Sequence, residues 1–159
     1  MIARSANGQV KCLIQVPKMT IEDAHTGIQA SLKKANEIGV PMDIAIVDES
    51  GNLLAFERMN GAITGCIQIA IDKAYTSAVL GIRTEEEGKI AQPGGPEYGI
   101  NSSCGGRFII FAGGVPIRLG KTIVGAVGCS SGTVDQDSAV AVAGAAAIEE
   151  SLRKQIGTP

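Results

Sequence analysis

From Ile21 to Ile38 the apolar residues Ile21, Ala24, Ile28, Leu32, Ala35 and Ile38 recur at intervals of three and four. That is the spacing of a helix with one buried face. Thr20 stands in front of the run as an N-cap, Glu22 and Asp23 fall in the first turn where the helix dipole favours them, and Gly39 with Pro41 supplies a stop. A weak alternation over Gln9 to Val16 predicts a strand before this helix, and Met42 to Val47 predicts a buried strand after it. The turn formers Asp48 to Asn52 join that strand to Leu53 to Arg58 as an antiparallel hairpin. A second helix is predicted over about Ala62 to Leu80, with Ile63, Ile67, Ala70, Ala74 and Ala78 inward and Gln68, Asp72 and Thr76 outward.

Thr84 and Glu87 have capping-box spacing and predict a short third helix with Thr84 as its cap. Gln92 to Gly106 has no periodicity and reads as a long Gly-rich loop, the leading candidate for a lid or pocket wall. Arg107 to Ala112, Val115 to Leu119 and Thr122 to Val127 read as strands, and Asp135 to about Lys154 as a last helix that is small and apolar all round. Hairpins rather than parallel crossovers connect the strands, so the pattern predicts an α+β domain on an antiparallel sheet.

The length of 159 residues, 45% hydrophobic, suits one domain over 1–159 with a real core. Fourteen basic against sixteen acidic residues give a net charge of −2 without a basic block, which argues against a nucleic-acid partner. No apolar run approaches the roughly 20 residues of a membrane span, and Met1 to Lys11 lacks a signal-peptide apolar core. A cytoplasmic protein without a membrane partner is the expectation. The cysteines at 12, 66, 104 and 129 are widely spaced, and His25 is the one histidine, so a structural zinc site and disulfides are not expected.

Gly120-Lys121-Thr122 ends like a nucleotide-binding phosphate loop. The first glycine of that pattern falls on Val115, however, and Val115, Ile117 and Leu119 alternate as a strand. Gly120-Lys121 is better read as a two-residue hairpin loop, with glycine at the position needing positive φ and Lys121 in water.

Three motifs carry a family resemblance: "IAIVDESGNLLAFERMNGA", "AIDKAYTSAVL" and "GGVPIRLGKTIVGAVGCSSGTVDQDSAVAVAG". In that order they resemble the GlcG/HbpS-like family, which includes the C-terminal domain of PduO-type proteins, over about Thr20 to Ile148. The resemblance implies a profilin-like fold with an antiparallel sheet of about five strands flanked by helices. It also implies dimer-based homo-oligomers, from tetramer to octamer. Several members bind haem, one secreted branch senses redox stress with haem and iron, and others accompany diol or glycolate metabolism. A haem-binding or haem-handling protein is therefore the expectation. A cofactor-free lyase or isomerase acting on a hydroxy or dicarboxylic acid is the alternative, or an accessory subunit of a diol or glycolate catabolic system.

Candidate residues follow. A neutral imidazole is a good axial ligand to haem iron, and some PduO-type members use a histidine on the first helix, which makes His25 the candidate. Lys73 offers an ammonium to a haem propionate or a small acid, or pairs with a helix neighbour. Arg107, beside the Gly-rich loop, and Arg58 are candidates for bidentate carboxylate binding. Glu85, Glu86 and Glu87 read as helix N-terminal acids, with surface iron binding as the alternative. Cys129 stands where family members carry an aliphatic residue, and is either a reactive thiol near the start of the last helix or a buried small hydrophobe. Asp135 and Asp137 read as structural residues at that helix start. For the enzyme alternative, Lys73, Arg107 and Cys129 are the catalytic candidates.

Overall fold

The computed structural model describes residues 17–157. Helix α1 (Ile21–Glu37) is followed by strands β1 (Asp43–Asp48) and β2 (Leu53–Arg58), helices α2 (Ile67–Leu80) and α3 (Thr84–Ile90), strands β3 (Gly114–Leu119) and β4 (Thr122–Ser130), and helix α4 (Val134–Gln155). The strands form one antiparallel sheet in the order β2-β1-β4-β3. Strand alternation divides the core into two layers. Ile44 and Ile46 of β1 and Val127 and Cys129 of β4 face α1 and α4, where they meet Ala24, Ile28, Val140 and Ile148. Ala45, Val47 and Ala126 face the other way, onto Ala70, Ala74 and Ala78 of α2. A central strand covered on both faces has no polar side to show, which is why Ile44 to Val47 reads as a continuous apolar run.

Both capped helices begin as their sequences require. Thr20 and Asp23 form a reciprocal capping box at α1, and Thr133 with Gln136 forms one at α4. Gly120 takes φ +63° in the two-residue loop between β3 and β4, and Lys121 beside it is exposed. The Gly-Lys-Thr stretch is thus a hairpin. No helix of the described residues is long and apolar enough to cross a membrane.

Several expectations need correction. The sheet has four strands among the described residues rather than about five, and the strand expected over Gln9 to Val16 lies outside them. Arg107 to Ala112 is not a strand, because it is drawn onto α2 instead. The Thr76 hydroxyl accepts the Ile109 N–H at 2.9 Å and lies 3.2 Å from the Arg107 carbonyl. Asp72 and Thr76, expected on the outer face of α2, are accordingly buried beneath that segment. Ile63, expected inward, is exposed, since α2 starts only at Ile67 after a short 3-10 turn over Thr64–Cys66. Thr84 is not the cap of α3. Its hydroxyl accepts the Gly114 N–H at 2.9 Å and ties α3 to the first residue of β3, while the Glu86 carboxylate accepts the N–H of Arg83 at the cap.

Candidate functional site

Helix α2 carries two polar clusters, both covered by the chain that follows the Gly-rich segment. In the inner one, Lys73 is fully buried, and its ammonium donates to Asp137 Oδ2 at 2.6 Å and to the Cys129 carbonyl at 2.9 Å. The Phe111 ring lies over the same nitrogen at 4.9 Å from the ring centroid. Asp137 reaches the cluster from the first turn of α4, where its other oxygen accepts the Gly132 N–H at 2.9 Å. Burial pushes the Asp137 carboxyl upward, and the Lys73 ammonium and Gly132 N–H pull it back. Gly113 closes the cluster at φ +122°, where a Cβ would stand 2.7 Å from Lys73 Nζ and 2.6 Å from the Cys129 carbonyl. Only glycine fits there.

In the outer cluster, Arg107 Nε donates to Asp72 Oδ1 at 2.8 Å and the guanidinium lies 3.7 Å from the centroid of the Tyr75 ring. Tyr75 stacks on Phe108 with centroids 6.0 Å apart. Its hydroxyl is pushed up by burial and by a hydrogen bond with the Cys104 side chain. Arg107 keeps part of its side chain in water, with its two terminal nitrogens unbonded among the described residues.

His25 stands apart from both clusters. It is exposed on α1, across the sheet from α2, so one chain does not bring it together with Lys73 or Arg107. A shallow, open depression of about 640 Å³ on α1 begins one turn further along, lined by Gln29, Leu32, Lys33, Asn36 and Glu37, and His25 is not part of its lining. His25, Gln29, Leu32, Lys33 and Asn36 recur at helical spacing and share one face. Arg58 is exposed and donates to Thr64 Oγ1 at 3.1 Å. Of the three consecutive acids, Glu85 pairs with Arg83 and Glu86 takes the cap N–H, but Glu87 turns inward and is buried. A smaller cleft of about 280 Å³ lies at the β3 edge, and its charges are already engaged. Arg83 pairs with Glu85, Arg118 donates to the Gly81 carbonyl, and Glu149 holds Arg153 and the Arg118 N–H.

Cys129 is fully buried between β1 and the α4 side of the core, and desolvation pushes its thiol far upward. That environment keeps the sulfur protonated and out of reach. Brief alkylation of the native protein with iodoacetamide is expected to label exposed Cys104 and leave Cys129 unmodified until denaturant is added, read by peptide mass mapping.

A family model described as haem degrading protein HbpS-like matches residues 19–146. The chain belongs to the HbpS-like family. Within it, the chain is 39% identical over 127 residues to an uncharacterized 15.0 kDa protein of the dhaT-dhaS intergenic region of Citrobacter freundii, covering 80% of this chain and 89% of the relative. The crystal structure of Klebsiella pneumoniae protein ORFY superposes with a TM-score of 0.84 at 35% identity, over 87% of this chain and 95% of the other. A crystal structure of a PduOC:heme complex superposes with a TM-score of 0.79 at 30% identity, over 82% and 95%. The HbpS-like assignment thus covers the sheet, α1, α2 and both polar clusters.

Sequence reasoning named Lys73 and placed Asp137 at the start of the last helix, but did not join them. The signal was the length of a lysine side chain on a helix face otherwise made of Ala70, Ala74 and Ala78. It also passed over Tyr75 as a partner for Arg107.

Proposed function

We propose that this HbpS-like protein binds and handles haem, with His25 on α1 as the residue that would hold the iron. The observation that carries the reading is an exposed imidazole on α1, one helical turn before the first residue of the depression, in a fold shared with a solved haem complex. The residues fit the group: no hydrogen bond to His25 occurs among the described residues, Leu32 offers apolar floor, and Lys33 offers an ammonium to a propionate. Lys73 is not free for that task in this geometry, because a propionate would have to displace Asp137. Haem bound there would supply iron redox and oxygen chemistry. The chain's own part would be to hold the iron through His25, to offer the α1 surface around Leu32 as apolar wall, and to neutralise a propionate with Lys33. One chain offers a single wall, and a homo-oligomer in which a second copy faces α1 would supply the other.

Titration with hemin is expected to give a Soret band that saturates at one equivalent per chain. His25→Ala is expected to shift that band and to weaken binding by about tenfold or more, roughly 1.4 kcal/mol per decade. No band at stoichiometric hemin would sink the reading.

The outer cluster favours a second reading. The free fork of Arg107 over Tyr75 suits a small carboxylate, as a hydroxy-acid or dicarboxylic-acid enzyme or an accessory subunit of diol catabolism would need. It predicts that such acids, and not hemin, raise the melting temperature, and that Arg107→Lys removes the rise.

A further inference from the structure

Lys73 is a nucleophilic side chain that haem binding at α1 does not use. It is fully buried beside Ala70, Ala74 and Ala78, and its charge is met by Asp137 Oδ2 at 2.6 Å. A buried ion pair is generally no more stable than an apolar pair of the same volume, so packing alone does not call for a lysine here.

The groups around its nitrogen differ in how firmly they are held. The Cys129 carbonyl, 2.9 Å away, belongs to β4, and Asp137 is fixed by the Gly132 N–H; both residues are buried, as is Gly113. Phe111, whose ring centroid lies 4.9 Å from the nitrogen, is the exposed one at 43%. Its backbone is also the loose part of the cover. The Ile109 N–H is held by Thr76 and the Gly113 carbonyl by the Cys129 N–H at 2.8 Å, but Ile110, Phe111 and Ala112 make no hydrogen bond among the described residues. Gly113, at φ +122°, gives this short span a pivot at its far end.

We propose that Lys73 is an imine-forming amine, with Asp137 as its proton carrier and Phe111 as its gate, and that the site takes a small ketone or aldehyde. The ammonium first passes one proton along the 2.6 Å hydrogen bond to Asp137, which leaves a neutral amine and a carboxylic acid. The amine nitrogen adds to the carbonyl carbon, the C=O π bond opens, and a proton moves from nitrogen to oxygen. Asp137 then returns its proton to that hydroxyl, which leaves as water while the nitrogen lone pair closes the C=N bond. The balance is one ammonium and one carbonyl in, one protonated imine and one water out, with Asp137 again a carboxylate. Burial pushes the Asp137 carboxyl upward, which narrows the gap that the first proton transfer must cross. The closed cover also suits the product, since an imine is hydrolysed where water reaches it. This inference concerns the inner cluster alone and depends neither on haem nor on the free fork of Arg107.

The test is reductive trapping. The full chain without haem is incubated at neutral pH with acetone, and separately with pyruvate, in the presence of sodium cyanoborohydride, and the modified lysines are found by peptide mass mapping. Lys73 is expected to carry the reduced adduct ahead of the exposed Lys33, Lys89 and Lys121, because a surface ammonium holds little free amine at pH 7. Phe111→Ala is expected to speed the reaction at Lys73 and leave the surface lysines unchanged. Asp137→Asn is expected to slow it by about a hundredfold. Brief iodoacetamide treatment of each sample reports on folding, because Cys129 is fully buried and stays unlabelled while the chain is intact. Where Asp137→Asn does not fold, the unaltered chain and Phe111→Ala decide. Lys73 modified ahead of the surface lysines in either protein, with Cys129 still protected, supports the proposal. Lys73 unmodified in both, modified no faster than the surface lysines, modified only once Cys129 also reacts, or modified at an unchanged rate in folded Asp137→Asn overturns it.

Discussion

Replacing Asp137 with Ala is expected to cost about 3–5 kcal/mol of folding stability. That is a large share of the roughly 5–15 kcal/mol that holds an ordinary domain together. The reason lies in what remains. The Lys73 ammonium is fully buried, and without Asp137 it keeps one carbonyl, that of Cys129, and the face of Phe111. A buried cation with no counter-ion either pays its desolvation or gives up its proton, and both favour unfolding. The carboxylate also holds the Gly132 N–H, so the turn between β4 and α4 loosens as well. The double replacement Lys73→Met with Asp137→Leu is expected to recover much of the loss, because an apolar pair of similar volume needs no solvent. Urea unfolding followed by circular dichroism on the single and double variants gives the coupling energy. A loss below about 1 kcal/mol for Asp137→Ala would mean that the buried pair does not hold the folded chain together.

Periodicity made the fold legible because its strongest elements obey local rules. Thr20 and Asp23 announce α1, the turn at Asp48 to Asn52 announces the first hairpin, and Gly120-Lys121 announces the second. Where local pattern failed, a tertiary contact had overruled it. Arg107 to Ala112 has strand composition, but Thr76 captures its backbone and Gly88 lies against the Ile110 carbonyl, so it covers α2 instead of joining the sheet. The same cover hides Asp72 and Thr76, which helical spacing alone puts outside. Thr84 was named for a cap and serves a strand 30 residues away. Single residues of the site were visible by type, as with Lys73, Arg107 and His25. The partners of the first two were not, because Asp137 is brought to Lys73 and Tyr75 to Arg107 by the path of the chain and not by any spacing along it. Glu85, Glu86 and Glu87 make the point sharply: identical neighbours in sequence divide, within one short helix, into two surface acids and one buried one.

Gly128→Ala is expected to destabilise by at least about 3 kcal/mol, the upper end of what overpacking a core usually costs. A Cβ at this position would stand 2.0 Å from the Ala70 carbonyl oxygen and 2.5 Å from the Ala74 nitrogen. Both are backbone atoms of α2, so no side chain can swing aside, and the helix itself must move off the sheet. That movement carries Lys73 away from Asp137 and from the Cys129 carbonyl, one residue beyond the substitution on β4. Packing strain and loss of the buried ion pair are thus one event, and Gly128→Ala combined with Asp137→Ala is expected to cost less than the sum of the two. Gly65→Ala is the control, since a Cβ there meets nothing within 4 Å, and it is expected to change stability by no more than about 0.5 kcal/mol. If Gly128→Ala melts with the unaltered chain, α2 does not sit on β4 at backbone distance. If the two costs simply add, the seat of the helix and the Lys73–Asp137 pair are independent, and the close approach at Gly128 is not what sets the reach of the lysine.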